Sequence, residues 1–125
     1  IPKVFGIIPS LPRRIGGADV RLGYSVPTKF GGTELPVWEF AGWPVHLLGG
    51  APHAQMHLTH YLPVVSTDGN YAMLKASKFC EFWTPRGWRS MGSVGVTGQR
   101  DAMYEAFRRS CENIMQAWKR VRVAE

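Results

Sequence analysis

Acidic residues are scarce in this sequence, nine among 125, and Asp68 stands where one could do chemistry. It closes the apolar run of Val64-Val65-Ser66-Thr67-Asp68-Gly69-Asn70. A carboxylate at the end of a buried strand can serve as a nucleophile, whereas capping the next helix is the alternative use. Ahead of it, Pro44-Val45-His46-Leu47-Leu48 runs into Gly49-Gly50, and Pro52 then opens a helix, which is how a βα unit reads. Free amides at Gly49, Gly50 and such a helix start can hold an anion; plain turn chemistry is the alternative. If both apolar runs are strands of one parallel sheet, the amides of Gly49 and Gly50, the helix start at Ala51 and Pro52, and the carboxylate of Asp68 project from its carboxyl edge, where βα folds keep their sites. His46 lies inside a strand. It either points into a barrel-like centre and donates a hydrogen bond there or packs outward under a helix.

Other reactive residue types fit structural roles better. His53, His57 and His60 follow the spacing i, i+4, i+7 and share one helix face, which could converge on a transition metal. Nearby carboxylates and thiolates are missing from the sequence around them, so no metal site and no cofactor is expected. Cys80 and Cys111 sit in apolar settings and read as small core residues. Arg13, Arg14, Arg86 and Arg89 are the cations nearest the expected loops and are candidates for phosphate contacts. Trp83 and Trp88 flank Arg86, a pattern that can stack bases, although tryptophans in a small chain more often form core.

The elements that must position these groups follow from apolar period and breakers. Residues 3–8, 21–26, 45–48 and 64–66 read as strands, 52–61 and 71–82 as helices, and 84–98 as a loop region. The clearest helix is 101–121, where Met103, Phe107, Cys111, Ile114, Trp118 and Val121 mark one face. Glu105 with Arg109 and Arg108 with Glu112 pair at i, i+4 on the other face. The expected fold class is α/β: a half-barrel or small open parallel sheet of about four βα units with a long C-terminal amphipathic helix. One domain over 1–125 is expected, about half the size of a closed (β/α)8 barrel. The chain opens on Ile1 rather than Met, which fits processing or a fragment of something longer.

The net charge of +6 and pI of about 9.8 invite a nucleic-acid partner. The charge is spread evenly, however, and draws no dedicated phosphate-binding stripe. The longest apolar run falls far short of the roughly 20 residues of a membrane span, and the short run behind Lys3 closes at Pro9. A cytoplasmic setting without a membrane partner is therefore expected.

Taken in order, the strand ends resemble the second half of the barrel of tRNA-guanine transglycosylases. Phe5-Gly6-Ile7-Ile8-Pro9-Ser10 resembles that family's F-G-I-V-Q-G strand, and Leu22-Gly23-Tyr24-Ser25-Val26-Pro27 its G-G-L-A-V-G strand. Val45-His46-Leu47-Leu48-Gly49-Gly50-Ala51-Pro52 is similar to its Y-L-M-G-V-G-x-P segment, and Val65-Ser66-Thr67-Asp68 to its D-x-F-D strand. A closer likeness is to uncharacterised, partly phage-borne proteins with a V-H-L-L-G-G-S-P-H motif. The transglycosylase resemblance implies that Asp68 is the nucleophile that attacks the anomeric carbon of a nucleotide. It also implies that Gly23 and Tyr24 line the base pocket and that Gly49 and Gly50 approach the sugar-phosphate. His46, Ser66 and Thr67 join them as substrate-binding candidates. Pro9 and Ser10 replace that family's glutamine and glycine, and its zinc-binding cluster is missing from the sequence.

Two readings of function follow. The first is an active or degenerate transglycosylase-like enzyme acting on a nucleotide or nucleic-acid base. The second is a non-catalytic basic module that binds nucleic acid or a partner completing the sheet. Both expect self-association or a missing barrel half.

Overall fold

A computed structural model describes residues 8–93 and 98–124. The chain forms two compact units, Ile1–Gly69 and Asn70–Glu125, and their secondary structure is mixed α/β. The first expected strand, 3–8, lies outside the described residues except for Ile8, which opens a 3-10 turn through Ser10.

In the first unit, β1 (Arg14–Ile15) and β2 (Ala18–Asp19) make a short antiparallel hairpin over Gly16-Gly17. A three-stranded parallel sheet follows, with β3 (Leu22–Ser25), β4 (Val45–Leu48) and β5 (Val64–Thr67) in sequential order. Parallel strands need a crossover, and α1 (Pro52–Leu58) supplies the one between β4 and β5. This helix is shorter than the 52–61 expected: beyond it the amides of Thr59, His60 and Tyr61 bond back only three residues, in tighter turns. The connection from β3 to β4 holds a 3-10 turn, Val37–Phe40, begun after Pro36.

Strand alternation sorts the side chains. Val45 and Leu47 are fully buried, and Tyr24, Val26, Phe40, Trp43 and Leu62 join them in one core with Leu58 of α1 packed against it. His46 and Leu48 therefore point to the opposite face, which α1 does not cover. This corrects the reading of His46 as packed outward under a helix.

One irregularity decides which face β5 presents. Val45 pairs with Val64, yet His46 pairs with Ser66, so Val65 is an extra, bulged residue, 37% exposed. A bulge resets the alternation that follows it. Without it Ser66 would oppose Leu47 and turn into the core, and Asp68 would lie on that side as well. With it, Val64 packs in the core while Ser66 stands beside His46.

The second unit departs most from the expectations. The helix expected over 71–82 ends early: α2 (Tyr71–Phe79) stops at Cys80, whose φ of 51° puts it in the left-handed conformation of a helix terminator. The residues after it form β6 (Glu81–Thr84), paired antiparallel with β7 (Gly87–Ser90). The loop expected over 84–98 is thus half of a hairpin, followed by a 3-10 turn over Met91–Ser93. Its tight turn is closed by Thr84, whose Oγ1 donates to Gly87 O at 2.7 Å. Aromatic Phe82, Trp83 and Trp88 favour a pleated surface over a helix.

The last helix, α3 (Gln99–Ala124), is longer than its expected core. Its buried face is not the large apolar stripe but the small residues Ala106, Ser110 and Ala117. Small side chains let the helix approach β6 closely, where Ser110 Oγ accepts from Trp83 N at 2.8 Å and Asn113 Nδ2 donates to Trp83 O at 2.8 Å. The helix thus satisfies strand groups that a neighbouring strand would otherwise take. Phe107 is 41% exposed and lines an apolar cleft of about 490 Å³ with Met73, Met103 and Tyr104. The expected pairs form outside, Arg109–Glu105 at 3.0 Å and Arg108–Glu112 at 2.6 Å. Ala106→Leu should therefore overpack the helix–sheet contact and cost about 1–3 kcal/mol in chemical denaturation, with Phe107→Ala costing less. A larger cost at Phe107 would contradict this assignment of the buried face.

Candidate functional site

The sheet register lays a row of polar side chains across the face that α1 leaves open. Gly23 pairs with His46 and His46 with Ser66, so these positions are lateral neighbours, and Asp68 stands two residues beyond Ser66. The ladder continues past β5, with Asp68 N donating to Leu47 O at 3.0 Å. The carboxyl edges of β4 and β5 are thereby held together.

Asp68 is tied by both oxygens. Oδ1 accepts from Gly49 N at 3.0 Å, and Oδ2 lies 3.2 Å from His46 Nε2. The Gly49 amide and then the His46 ring hold its carboxyl below the usual 3.8, although the side chain is 57% exposed. At neutral pH it is ionised and accepts only. His46 Nε2 must therefore carry the proton of that contact, which leaves Nδ1 of the neutral ring as an acceptor. Ser66 Oγ lies 2.7 Å from Nδ1 and consequently donates its hydroxyl proton to it. Arg21 Nη1 in turn donates to Ser66 Oγ at 3.5 Å, reaching across β4. From Arg21 through Ser66 and His46, every donor points toward the Asp68 carboxylate.

Gly49 and Gly50 do two different jobs. The anion that the Gly49 amide holds is the chain's own Asp68. Gly50, at φ +82°, approaches Val26 so closely that a Cβ there would sit 2.6 Å from a Val26 methyl carbon. Below both turns lies Gln55 of α1, buried at 5% exposure. Its Nε2 donates to Gly49 O at 2.6 Å and also to Asp68 O, so one amide clamps the two strand ends. Sequence reasoning passed over Gln55 and Arg21. The signal for Gln55 was a polar residue at the inward position of a short helix; for Arg21 it was the alternation that puts it on the side of Gly23.

The remaining candidates lie elsewhere. Tyr24 is 4% exposed in the core, edge-on to Phe40 at 5.3 Å, on the side of the sheet away from Asp68; alternation forbids it the open face. Thr67 pairs with Leu47 and shares that core side. The N-cap of α2 is Asn70, without a side-chain cap bond, and the Asp68 carboxylate is taken up by Gly49 and His46, so the helix-cap alternative for Asp68 is corrected. Arg13 is engaged with Gly42 O at 2.8 Å and stacks over Trp43 at 3.7 Å, and Arg14 pairs with Asp19 at 3.4 Å. Arg86 and Arg89 are exposed on the hairpin of the second unit. His57, His60 and Tyr61 pack edge to face. Among the described residues no group of three or more His, Cys, Asp and Glu could hold a metal ion, and no helix is long and apolar enough to cross a membrane.

The carboxylate of Asp68 should titrate below 3.8 when followed by carbon NMR. His46→Leu should raise the midpoint only part of the way, because the Gly49 amide is the larger cause. Since the folded value is the lower one, these bonds contribute stability above the ordinary carboxylate range, lost as the pH falls through the folded value. Asp68→Asn should remove that portion of the acid sensitivity, and an unshifted midpoint would contradict the geometry.

No curated protein and no solved structure matches the chain. A family model does: it matches residues 1–119 of the 125 and is described as a family of unknown function, DUF6610. The chain belongs to that family.

Proposed function

We propose that the first unit is a transglycosylase-like domain that handles nucleotides or nucleic-acid bases, with Asp68 as its nucleophile. The observation that carries this reading is the state of Asp68: ionised, more than half exposed, and oriented through both oxygens at the carboxyl edge of a parallel sheet. A carboxylate held in this way can attack an anomeric carbon and form a glycosyl ester that an incoming base resolves. The likeness of the strand ends to tRNA-guanine transglycosylases supplies the substrate class. Ser66 is the rival nucleophile within the same row. The reading favours Asp68 because the Gly49 amide, the donor that would steady an oxyanion, is engaged by the aspartate.

Sequential parallel strands with a crossover helix on one face are also what a stretch of (β/α)8 barrel contains, which supports the half-barrel interpretation. Among the described residues the outer edges of β3 and β5 pair with no further strand. Unpaired edges invite another chain, and this supports the second reading, a basic module completed by a partner or by its own copy.

The test is a covalent adduct. The 125-residue chain incubated with single-stranded DNA, RNA and nucleoside monophosphates, then denatured and digested, should carry a glycosyl mass on the peptide of Asp68, and Asp68→Asn should lose it. Binding that weakens with salt, by a log–log slope of about −0.7 to −0.9 per phosphate contact, and that Asp68→Asn leaves intact, with no adduct, would favour the module instead.

A further inference from the structure

Both nitrogens of the His46 ring are engaged, Nδ1 by Ser66 at 2.7 Å and Nε2 by Asp68 at 3.2 Å. The ring therefore has no nitrogen left for a substrate. Ser66 Oγ does have a way out: it is partly exposed, lies on the open face, and sits one register from Asp68, about 6.6 Å along the strand. A base attached to an anomeric carbon at Asp68 can reach that hydroxyl. Arg21, exposed and 3.5 Å from Ser66 Oγ, places a positive charge where the oxygen would be left electron-rich during a proton transfer. Asp68 from the end of β5 and Arg21 from ahead of β3 are the charged groups that reach this chain of bonds.

We propose that Ser66 and His46 are the proton carrier of base exchange at Asp68, with Ser66 as the group that touches the base. This rests on the reading of Asp68 as nucleophile. The first half-reaction starts once His46 Nδ1 has also taken up a proton, which reverses its bond with Ser66, so that both ring nitrogens carry one. A carboxylate oxygen of Asp68 bonds to the anomeric carbon, the glycosidic C–N bond breaks, and its electron pair stays on the departing base. That base takes the Ser66 hydroxyl proton, and Ser66 takes the proton of His46 Nδ1. His46 is left neutral, with its remaining proton on Nε2. In the second half-reaction the nitrogen of an incoming base bonds to the anomeric carbon as the ester C–O bond breaks. Its proton passes to Ser66, and the Ser66 proton passes to His46 Nδ1. One base has replaced another, the Asp68 carboxylate is free, and the proton count is unchanged.

The experiment compares two kinds of leaving base. Exchange of radiolabelled free nucleobases into single-stranded DNA and RNA measures the full cycle, and oligonucleotides carrying N7-methylguanine measure adduct formation alone. The methylated base is cationic and departs neutral without accepting a proton. Ser66→Ala and His46→Gln should slow exchange by roughly 10²- to 10⁴-fold, the usual share of a proton-transfer group, and should flatten its pH profile. Ser66→Ala should lose far less of adduct formation from the N7-methylguanine oligonucleotide than of exchange, because that base needs no proton, and Ser66→Thr should keep most of the exchange. Exchange unchanged in Ser66→Ala would overturn the carrier and leave Asp68 standing as nucleophile. An equal loss on both substrates would also overturn it, since the two residues would then only hold Asp68 in place. Wild-type chain that neither exchanges bases nor forms an adduct would remove the nucleophile reading and the carrier with it.

Discussion

The hydrogen bonds that converge on the Asp68 carboxylate are the constraint on which the site depends. An exposed carboxylate on a strand end is ordinarily free to swing. Here the Gly49 amide fixes one oxygen and His46 the other, and the stronger of the two partners is backbone. The orientation is thereby built into the β4 turn, and Gln55 locks that turn to the next one from below. An ionised Asp68 puts the proton of their contact on His46 Nε2, and on a neutral ring Nδ1 is then left to accept from Ser66. A single charge thus sets the direction of every bond in the row, and bonds aligned in one sense reinforce one another.

The backbone makes this arrangement through one extra residue. Val64 and Val65 are adjacent and both apolar, so a regular strand would have to expose one of them and bury Ser66 beside Leu47. The bulge leaves Val65 exposed and Val64 in the core, and turns Ser66 and Asp68 to the open face instead. Bulges recur beside active sites because they re-aim side chains in this way.

Much of the first unit was legible because its signals are local. Glycines at Gly49-Gly50, proline at Pro52 and short apolar runs mark parallel βα units, and Asp68 and Gly49 meet at the edge those units define. The face of each residue was less legible. The transglycosylase resemblance places Tyr24 with Asp68 and adjacency in sequence places Thr67 there, but alternation turns both to the core side of the sheet. In the second unit, the apolar run around Phe82 and Trp83 carries no period that separates strand from helix. The left-handed Cys80 that divides α2 from β6 is not a residue type that announces a helix end. On α3 the large apolar residues drew the eye, although Ala106 and Ser110 make the close contact with β6 that only small side chains permit.

The central claim is that Asp68, His46 and Ser66 form one directional chain, and the tautomer of His46 reports on it most directly. Long-range nitrogen–proton correlation NMR on chain labelled with ¹⁵N-histidine distinguishes the two ring nitrogens in the neutral state. The account predicts that neutral His46 carries its proton on Nε2, with Nδ1 accepting from Ser66, and that the signal moves in Ser66→Ala and in Asp68→Asn. A neutral ring protonated on Nδ1, indifferent to both substitutions, would contradict it.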